Sequence, residues 1–160
     1  MHRWVFVTTL MILLGAVGCN DIPSKTLSAT DQYELLSLDP ERIPPERIND
    51  IPASDRFHVW HVLGRTSIDD SATREKLTNA LLAGAREKGI RAEGCFLPRH
   101  AIHVIHGEDV HDLAICFQCR WVGMSVNDRK GGGFVVSESP QPVFDDVLRA
   151  AGVPLAEKSE

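Results

Sequence analysis

Residues 95–119 read CFLPRHAIHVIHGEDVHDLAICFQC and predict a β-hairpin. Apolar and polar side chains alternate on both sides of a Gly-Glu-Asp turn that begins at Gly107. A turn of two or four residues aligns Ile102 with Leu113, whereas a turn of three residues sets His100 opposite Cys116. We favour the first register, because it places apolar side chains opposite one another on one face. In both registers the start of this stretch lies near its last two cysteines.

A cluster of soft metal ligands would then form at the open end of the hairpin. Its members are Cys95, His100, Cys116 and Cys119. Three thiolates and one imidazole around a tetrahedral Zn²⁺ ion make a common structural site. The Cys-x₂-Cys spacing supplies two of these ligands if the chain turns after Cys116. We therefore expect a structural zinc ion, bound with no open position for catalysis.

Three other interpretations of the cysteines stay open. Cys95 could form a disulfide with Cys116 or Cys119, leaving one thiol free. Cys116 and Cys119 could form a redox dithiol, although no helix is predicted at Cys116 to lower a thiol pKa. All three could also be buried, reduced and inert. Haem attachment is not expected, because Arg120 rather than histidine follows Cys119.

The motif Cys-Phe-x-Pro-Arg-His followed by Cys-Phe-x-Cys resembles that of a small group of uncharacterised bacterial proteins. The resemblance extends from about Phe57 to Cys119 and implies no particular activity.

Arg99 lies in the motif and is a candidate contact for a carboxylate or phosphate group. The alternative is an ion pair with a local acid such as Glu93. Three histidines lie around the other end of the hairpin: His103, His106 and His111. They could bind a transition metal, but solvated side chains are the simpler interpretation.

The first nineteen residues predict export and lipid attachment. A short basic start precedes an apolar run that is too short to span a bilayer as a mature helix. The run ends in Ala16-Val17-Gly18-Cys19, which resembles the lipobox of bacterial lipoproteins. The resemblance implies cleavage before Cys19, a diacylglyceryl group on its sulfur and acylation, for example with palmitate, of its amine. The protein would then be extracytoplasmic and anchored to a membrane by lipid at Cys19.

The remaining pattern predicts one α+β domain. Residues 1–18 form the signal peptide, 19–30 the lipidated cysteine and a flexible tether, 31–155 the domain, and 156–160 a frayed tail. Within the domain we expect an antiparallel sheet of about five strands with two helices packed on it. The helices are predicted over about 71–88, with Asp69 or Asp70 as N-cap, and around 143–148. Strands are expected at 33–38, unless that segment is a short helix, and at 56–63, 121–126 and 134–137. The glycines Gly131–Gly133 are assigned to a loop.

Composition excludes several functional classes. The chain has 160 residues, an apolar share of 43% and a formal net charge of −5, which is typical of a single globular domain. No basic run is present, so nucleic acid is not an expected partner. The spacings of serine hydrolases, P-loop proteins and zincins are absent.

Two functional hypotheses follow. The first is an envelope binding or interaction module with a structural Cys/His site and an unknown partner. The second is a thiol- or metal-dependent enzyme that uses the same Cys/His residues. We prefer the first hypothesis, because no set of nucleophile, base and orienting group is visible.

Overall fold

The chain folds into an α+β domain built on one antiparallel sheet. The computed structural model describes residues 26–27, 30–87, 89 and 96–157. The predicted signal peptide, the predicted lipid attachment at Cys19 and the predicted zinc ligand Cys95 therefore lie outside the described residues. The sheet has seven strands and curls into a half-barrel, so the prediction of about five strands was too low.

The strands are numbered in chain order. They are β1 (Gln32–Arg42), β2 (Arg56–Phe57), β3 (Trp60–Ser67), β4 (His100–His106), β5 (Asp109–Cys116), β6 (Trp121–Val126) and β7 (Arg129–Val135). Their order across the sheet is β2-β3-β1-β4-β5-β6-β7, and every neighbouring pair is antiparallel. The long first strand therefore lies between β3 and β4, and tight hairpins connect β4 to β7.

Three predictions about the strands were wrong. The first strand does not end at residue 38 but continues through Pro40 to Arg42, because a register irregularity between Leu38 and Arg42 accommodates the missing amide donor of the proline. The predicted strand at 56–63 is divided by a turn into β2 and β3. The glycines at 131–133 belong to β7 rather than to a loop. A side chain at Gly133 would place its Cβ only 2.5 Å from the ring of Trp121, so the strand needs glycine there.

Two α-helices pack on one face of the sheet, as predicted. Helix α1 (Ser71–Arg86) begins at Asp70, whose side chain accepts hydrogen bonds from the first-turn amides of Ala72 and Thr73. Helix α2 (Gln141–Ala150) follows Pro140 and has its own apolar stripe. Two short 3₁₀-helices, Pro45–Asp50 and Ala53–Asp55, connect β1 to β2. In the described part of the chain, no helix is both long and apolar enough to cross a bilayer.

The two faces of the sheet have different environments. The larger core lies between the sheet and the helices, where Leu77 and Leu81 of α1 meet Phe144 and Leu148 of α2. Leu27, in the segment predicted as a tether, is fully buried in this core. The second, smaller apolar cluster lies on the other face, and its members include Leu36, Leu38, Phe57, Trp60, Ala101 and Ala114. Neither α1 nor α2 contributes a residue to this second cluster, and we call its side of the sheet the open face.

Gly84 of α1 lies directly against Pro140, the residue that precedes α2. A Cβ at this position would lie 2.5 Å from Cγ of Pro140 and 3.1 Å from Val136. In an exposed helix, glycine to alanine would gain about 1 kcal/mol of helix propensity. Here the rigid proline ring prevents that gain. We predict that Gly84→Ala instead lowers the free energy of unfolding by roughly 1–3 kcal/mol, as overpacking of a core does. Urea denaturation of the variant and the wild type measures this difference.

The neighbouring exposed residue provides the matched control. Ala83→Gly should cost about 1 kcal/mol through helix propensity alone, because Ala83 has an exposed side chain. A Gly84→Ala protein that is more stable than the wild type would contradict the packing described here.

Candidate functional site

The β4–β5 hairpin has the register that apolar alternation favours. Ile102 pairs with Leu113 and His100 pairs with Ile115, across a two-residue turn that contains Gly107 at φ +62°. Because paired residues share a face and neighbours alternate, His100 and Cys116 emerge on opposite faces of the sheet. The same alternation separates His103 from His106 and His111, so these three histidines do not form a common site.

Cys116 and Cys119 are joined by a disulfide, with an S–S distance of 2.02 Å. The chain turns after β5 as the zinc hypothesis requires, and the amide of Arg120 donates to the carbonyl of Phe117 at 3.0 Å. Both cysteines are only 1% exposed. A disulfide sulfur is not a thiolate, so in this form neither residue is a zinc ligand.

The other members of the predicted site have different partners. Nε2 of His100 lies 2.7 Å from Oδ1 of Asp145 on α2, and the ring packs edge-on against Phe117 and Phe144. Arg99 donates to the side-chain oxygen of Gln118 at 2.9 Å and to the backbone carbonyl of residue 157. The four-ligand zinc site stays a prediction, because Cys95 is outside the described residues.

A row of small residues crosses the open face. Strand pairing aligns Leu36 of β1 with Ala101, Ala114, Gly123 and Gly133 on the next four strands. Aromatic rings border the row: the ring of Phe96 would be 3.3 Å from a Cβ at Gly123, and the ring of Trp121 lies beside Gly133. The small side chains therefore form the floor of a depression with aromatic walls.

A second row, two residues further along each strand, is polar. The paired residues are Glu34, His103, Asp112, Ser125 and Lys130, on β1 and β4 to β7. Both rows face the same way because their members are separated by two positions on every strand except β7, which has a register irregularity. The open face is thus divided into an aromatic half and a polar half.

Asp112 is the centre of the polar half. Nδ1 of His103 lies 2.6 Å from its Oδ1, and Nε2 of His58 lies 2.8 Å from its Oδ2. His58 is positioned by the β2–β3 turn, where it adopts φ +52°, a conformation in which histidine is more frequent than most residues. Asp128, in the β6–β7 turn, places Oδ1 3.9 Å from Nδ1 of the same ring. One carboxylate is therefore bracketed by two imidazoles, with a second carboxylate beside them.

The electrostatics of the cluster favour a charged Asp112. Burial is the largest single influence and raises the pKa of Asp112, but the hydrogen bonds from His103 and His58 together outweigh it. The pKa of this carboxyl therefore lies below its ordinary value. The hydrogen bond to Asp112 raises the pKa of His103, against an opposing effect of burial. The buried carboxylate and its imidazole partners form one coupled unit.

This cluster does not have the geometry of a hydrolytic triad. Oγ of Ser125 lies 3.3 Å from Nε2 of His58, the same nitrogen that contacts Asp112. In a triad the acid orients one ring nitrogen, and the other receives the proton of the nucleophile. Ser125 and Asp112 compete for one nitrogen instead, so His58 cannot relay a proton between them.

Two clefts adjoin the cluster on the open face. The larger has a volume of about 650 Å³ and runs over Ala114, Gly123 and Gly133 of the small-residue row. Its other lining residues include Trp60, Phe96 and Trp121, and the cations Arg42 and Lys130. The smaller, of about 290 Å³, lies beside the polar row and includes Arg56 and Arg65. His58, Asp112 and Asp128 line both clefts.

Sequence reasoning missed this cluster although part of its signal was present. The favoured register already sets His103 opposite Asp112, since it is the register that pairs Ile102 with Leu113. A continuous strand at 56–63 gives no reason for His58 to approach Asp112. Its approach to Asp112 depends on a turn with positive φ and on the curl of the sheet, neither of which is visible in the local pattern.

Comparison with known proteins gives no relative. No family model matches this chain, and neither a curated protein nor a solved structure matches it. Function is therefore inferred from the geometry and chemistry of the site itself.

The cysteine state can be measured by counting thiols. With the Cys116–Cys119 disulfide intact, residues 20–160 should show one thiol, Cys95, in denaturant without reductant. A zinc site would show three thiols after chelation. Because the disulfide closes a loop of only a few residues, its removal by Cys116→Ala and Cys119→Ala should cost about 2 kcal/mol of unfolding free energy. Three thiols together with one bound zinc per chain would contradict the disulfide.

Proposed function

We propose that this protein is a lipid-anchored binding module of a bacterial envelope and not an enzyme. Its ligand is a small organic anion with a flat apolar ring, received in the larger cleft of the open face. The observation that carries this proposal is the cleft itself, which combines aromatic walls and a floor without large side chains with a cation, Arg42, at the aromatic wall. Lys130 and the carboxylates of Asp112 and Asp128 also line the cleft.

The chemistry of the cleft supports this class of ligand. Its volume of about 650 Å³ is within the range of small-molecule sites, about 300–1,000 Å³. The rings of Trp60, Phe96 and Trp121 offer apolar surface and edges for stacking. The guanidinium of Arg42 lies 5.6 Å from the ring centre of Trp60, which holds one cation at the aromatic wall. A planar apolar body with one anionic group matches these walls and this cation.

The described chemistry gives little support to catalysis. The His–Asp–Ser arrangement cannot transfer a proton in the manner of a triad, and the Cys116–Cys119 disulfide is buried rather than offered to an external thiol. The alternative of an enzyme that uses Cys95, His100, Cys116 and Cys119 has no specific observation in its favour.

The envelope location is supported by the lipobox-like segment and by the disulfide. Disulfides persist in oxidising compartments and are rare in the cytoplasm. Two or three acyl chains on Cys19 would hold the domain firmly at a membrane surface, at about 0.8 kcal/mol for each buried CH₂ group.

The lipid anchor is tested by removing the sulfur of Cys19. We predict that the wild-type protein, expressed in a bacterium that processes lipoproteins, is recovered in the membrane fraction with acyl mass on Cys19. Cys19→Ser should release it from that fraction, because the sulfur that carries the diacylglyceryl group is lost. Cys95→Ser is the matched control and should stay with the membrane. A wild-type protein with an intact leader and no acyl mass would contradict the anchor.

The cleft is tested through its own tryptophans. Residues 20–160 contain only Trp60 and Trp121, and both line the cleft. We predict that a set of small aromatic carboxylates includes compounds that change tryptophan emission saturably. Arg42→Gln should weaken their binding at least about tenfold, because a charge-assisted contact is worth roughly 1.5–3 kcal/mol.

The control is Arg47→Gln, an exposed arginine in the first 3₁₀-helix that does not line the cleft. Its binding should equal that of the wild type. The proposal is wrong if no compound of the set perturbs the emission, or if Arg42→Gln binds as tightly as the wild type.

A further inference from the structure

The polar half of the open face carries a second, independent feature. Three side chains from three separate elements converge there: His58 from the β2–β3 turn, Asp112 from β5 and Asp128 from the β6–β7 turn. One donor atom from each of them lies within 4.8 Å of the others. This convergence is not a consequence of helix or strand periodicity, because the residues are distant in sequence.

We propose that His58, Asp112 and Asp128 bind one divalent transition-metal ion of the zinc class. The inference does not depend on the organic anion proposed for the larger cleft. It assigns a metal to residues other than the predicted cysteine site.

The donor distances suit such an ion. Oδ2 of Asp112 is 2.8 Å from Nε2 of His58, and Oδ1 of Asp128 is 3.9 Å from Nδ1 of the same ring. Around tetrahedral Zn²⁺, with bonds of about 2.0–2.2 Å, neighbouring donor atoms are separated by about 3.3–3.5 Å. An ion binds only one nitrogen of an imidazole ring. Because Asp112 already faces Nε2 of His58, we assign that nitrogen as the ligand, and the exposed side chain of Asp128 turns from Nδ1 towards it. One donor atom from each residue already lies within 4.8 Å of the others, and the ion would replace the direct hydrogen bond between His58 and Asp112.

The donor types select the class of metal. Mg²⁺ and Ca²⁺ prefer sites made only of oxygen atoms, whereas an imidazole beside carboxylates suits zinc and its neighbours in the first transition series. Three protein donors leave at least one position for water or an external ligand. The site is reachable, since the Asp128 side chain is 93% exposed and a cleft of about 290 Å³ opens beside it.

His103 acts as a positioning residue for Asp112. Its Nδ1 lies 2.6 Å from Oδ1, the oxygen that does not face His58, and so fixes the plane of the carboxylate. Metal ligands are commonly oriented by such hydrogen bonds, whose loss reduces metal affinity by about 10–100-fold. The cluster therefore contains a ligand set and a side chain that holds its central member.

The test measures Zn²⁺ binding by titration calorimetry in a buffer that does not bind metals, using the full-length protein in detergent. We expect one Zn²⁺ per chain in the wild type. His58→Ala and Asp128→Asn should each weaken binding at least about tenfold. Asp128→Asn is the decisive variant, because the residue is almost fully exposed and asparagine accepts its φ of +60°. The fold therefore stays intact while one ligand charge is lost.

Two controls locate the ion. His61→Ala removes an exposed imidazole three residues from His58 and should bind Zn²⁺ as the wild type does. Cys95→Ser should also leave binding unchanged, which excludes the cysteine site as the source of the signal. For the positioning role, His103→Leu should weaken binding about 10–100-fold, and His103→Asn, which keeps a donor near the position of Nδ1, should restore most of it.

The proposal is overturned by any of three results. The first is no Zn²⁺ binding by the wild type. The second is an affinity in His58→Ala and Asp128→Asn that equals that of the wild type. The third is loss of Zn²⁺ binding in Cys95→Ser. Because Arg42 does not belong to the ligand set, Arg42→Gln should bind Zn²⁺ normally. Failure of the organic-anion proposal and failure of the metal proposal can therefore be distinguished.

Discussion

The pairing register of the β4–β5 hairpin is the constraint on which the rest of the structure depends. Pairing Ile102 with Leu113 directs apolar side chains of both strands towards the helices. The same register places His103 opposite Asp112 and Ala101 opposite Ala114 on the open face. A shift by one residue would exchange the two faces, bury the polar pair under the helices and expose the apolar core. Both the fold and the site therefore follow from one alignment.

Much of the fold could be predicted from sequence, because its signals are local. The N-cap at Asp70, the stripe of α1 and the alternation of β4 and β5 depend only on neighbouring residues. The bounds of β7 were predicted wrongly, because tertiary contacts there override local propensity. A loop is the ordinary prediction for three consecutive glycines, yet the ring of Trp121 beside Gly133 requires that flat backbone within a strand. The lipid anchor and the zinc tetrad stay predictions, since Cys19 and Cys95 lie outside the described residues.

The cysteine hairpin shows how a motif can group residues that the sheet then separates. Cys-x₂-Cys is a favourable metal spacing only while both sulfurs are thiolates and the remaining ligands share their side of the sheet. Alternation sends His100 towards α2, where Asp145 is its partner, and sends Cys116 to the opposite face. The disulfide instead joins the end of β5 to the turn before β6. Trp121 follows that turn directly, and its ring lines the cleft.

Stability alone does not explain the polar half of that face. Asp112 is 7% exposed, and its charge is compensated by two imidazoles rather than by solvent. Buried ionic groups of this kind are often replaced by apolar residues with no loss of stability, because desolvation offsets the attraction between the charges. The adjoining row shows that this sheet accepts alanine and glycine at equivalent positions. Beside the buried charge of Asp112, the cluster holds His58 in the left-handed backbone region and places a second carboxylate, that of Asp128. Such an arrangement is better explained by ligand binding than by a contribution to folding stability.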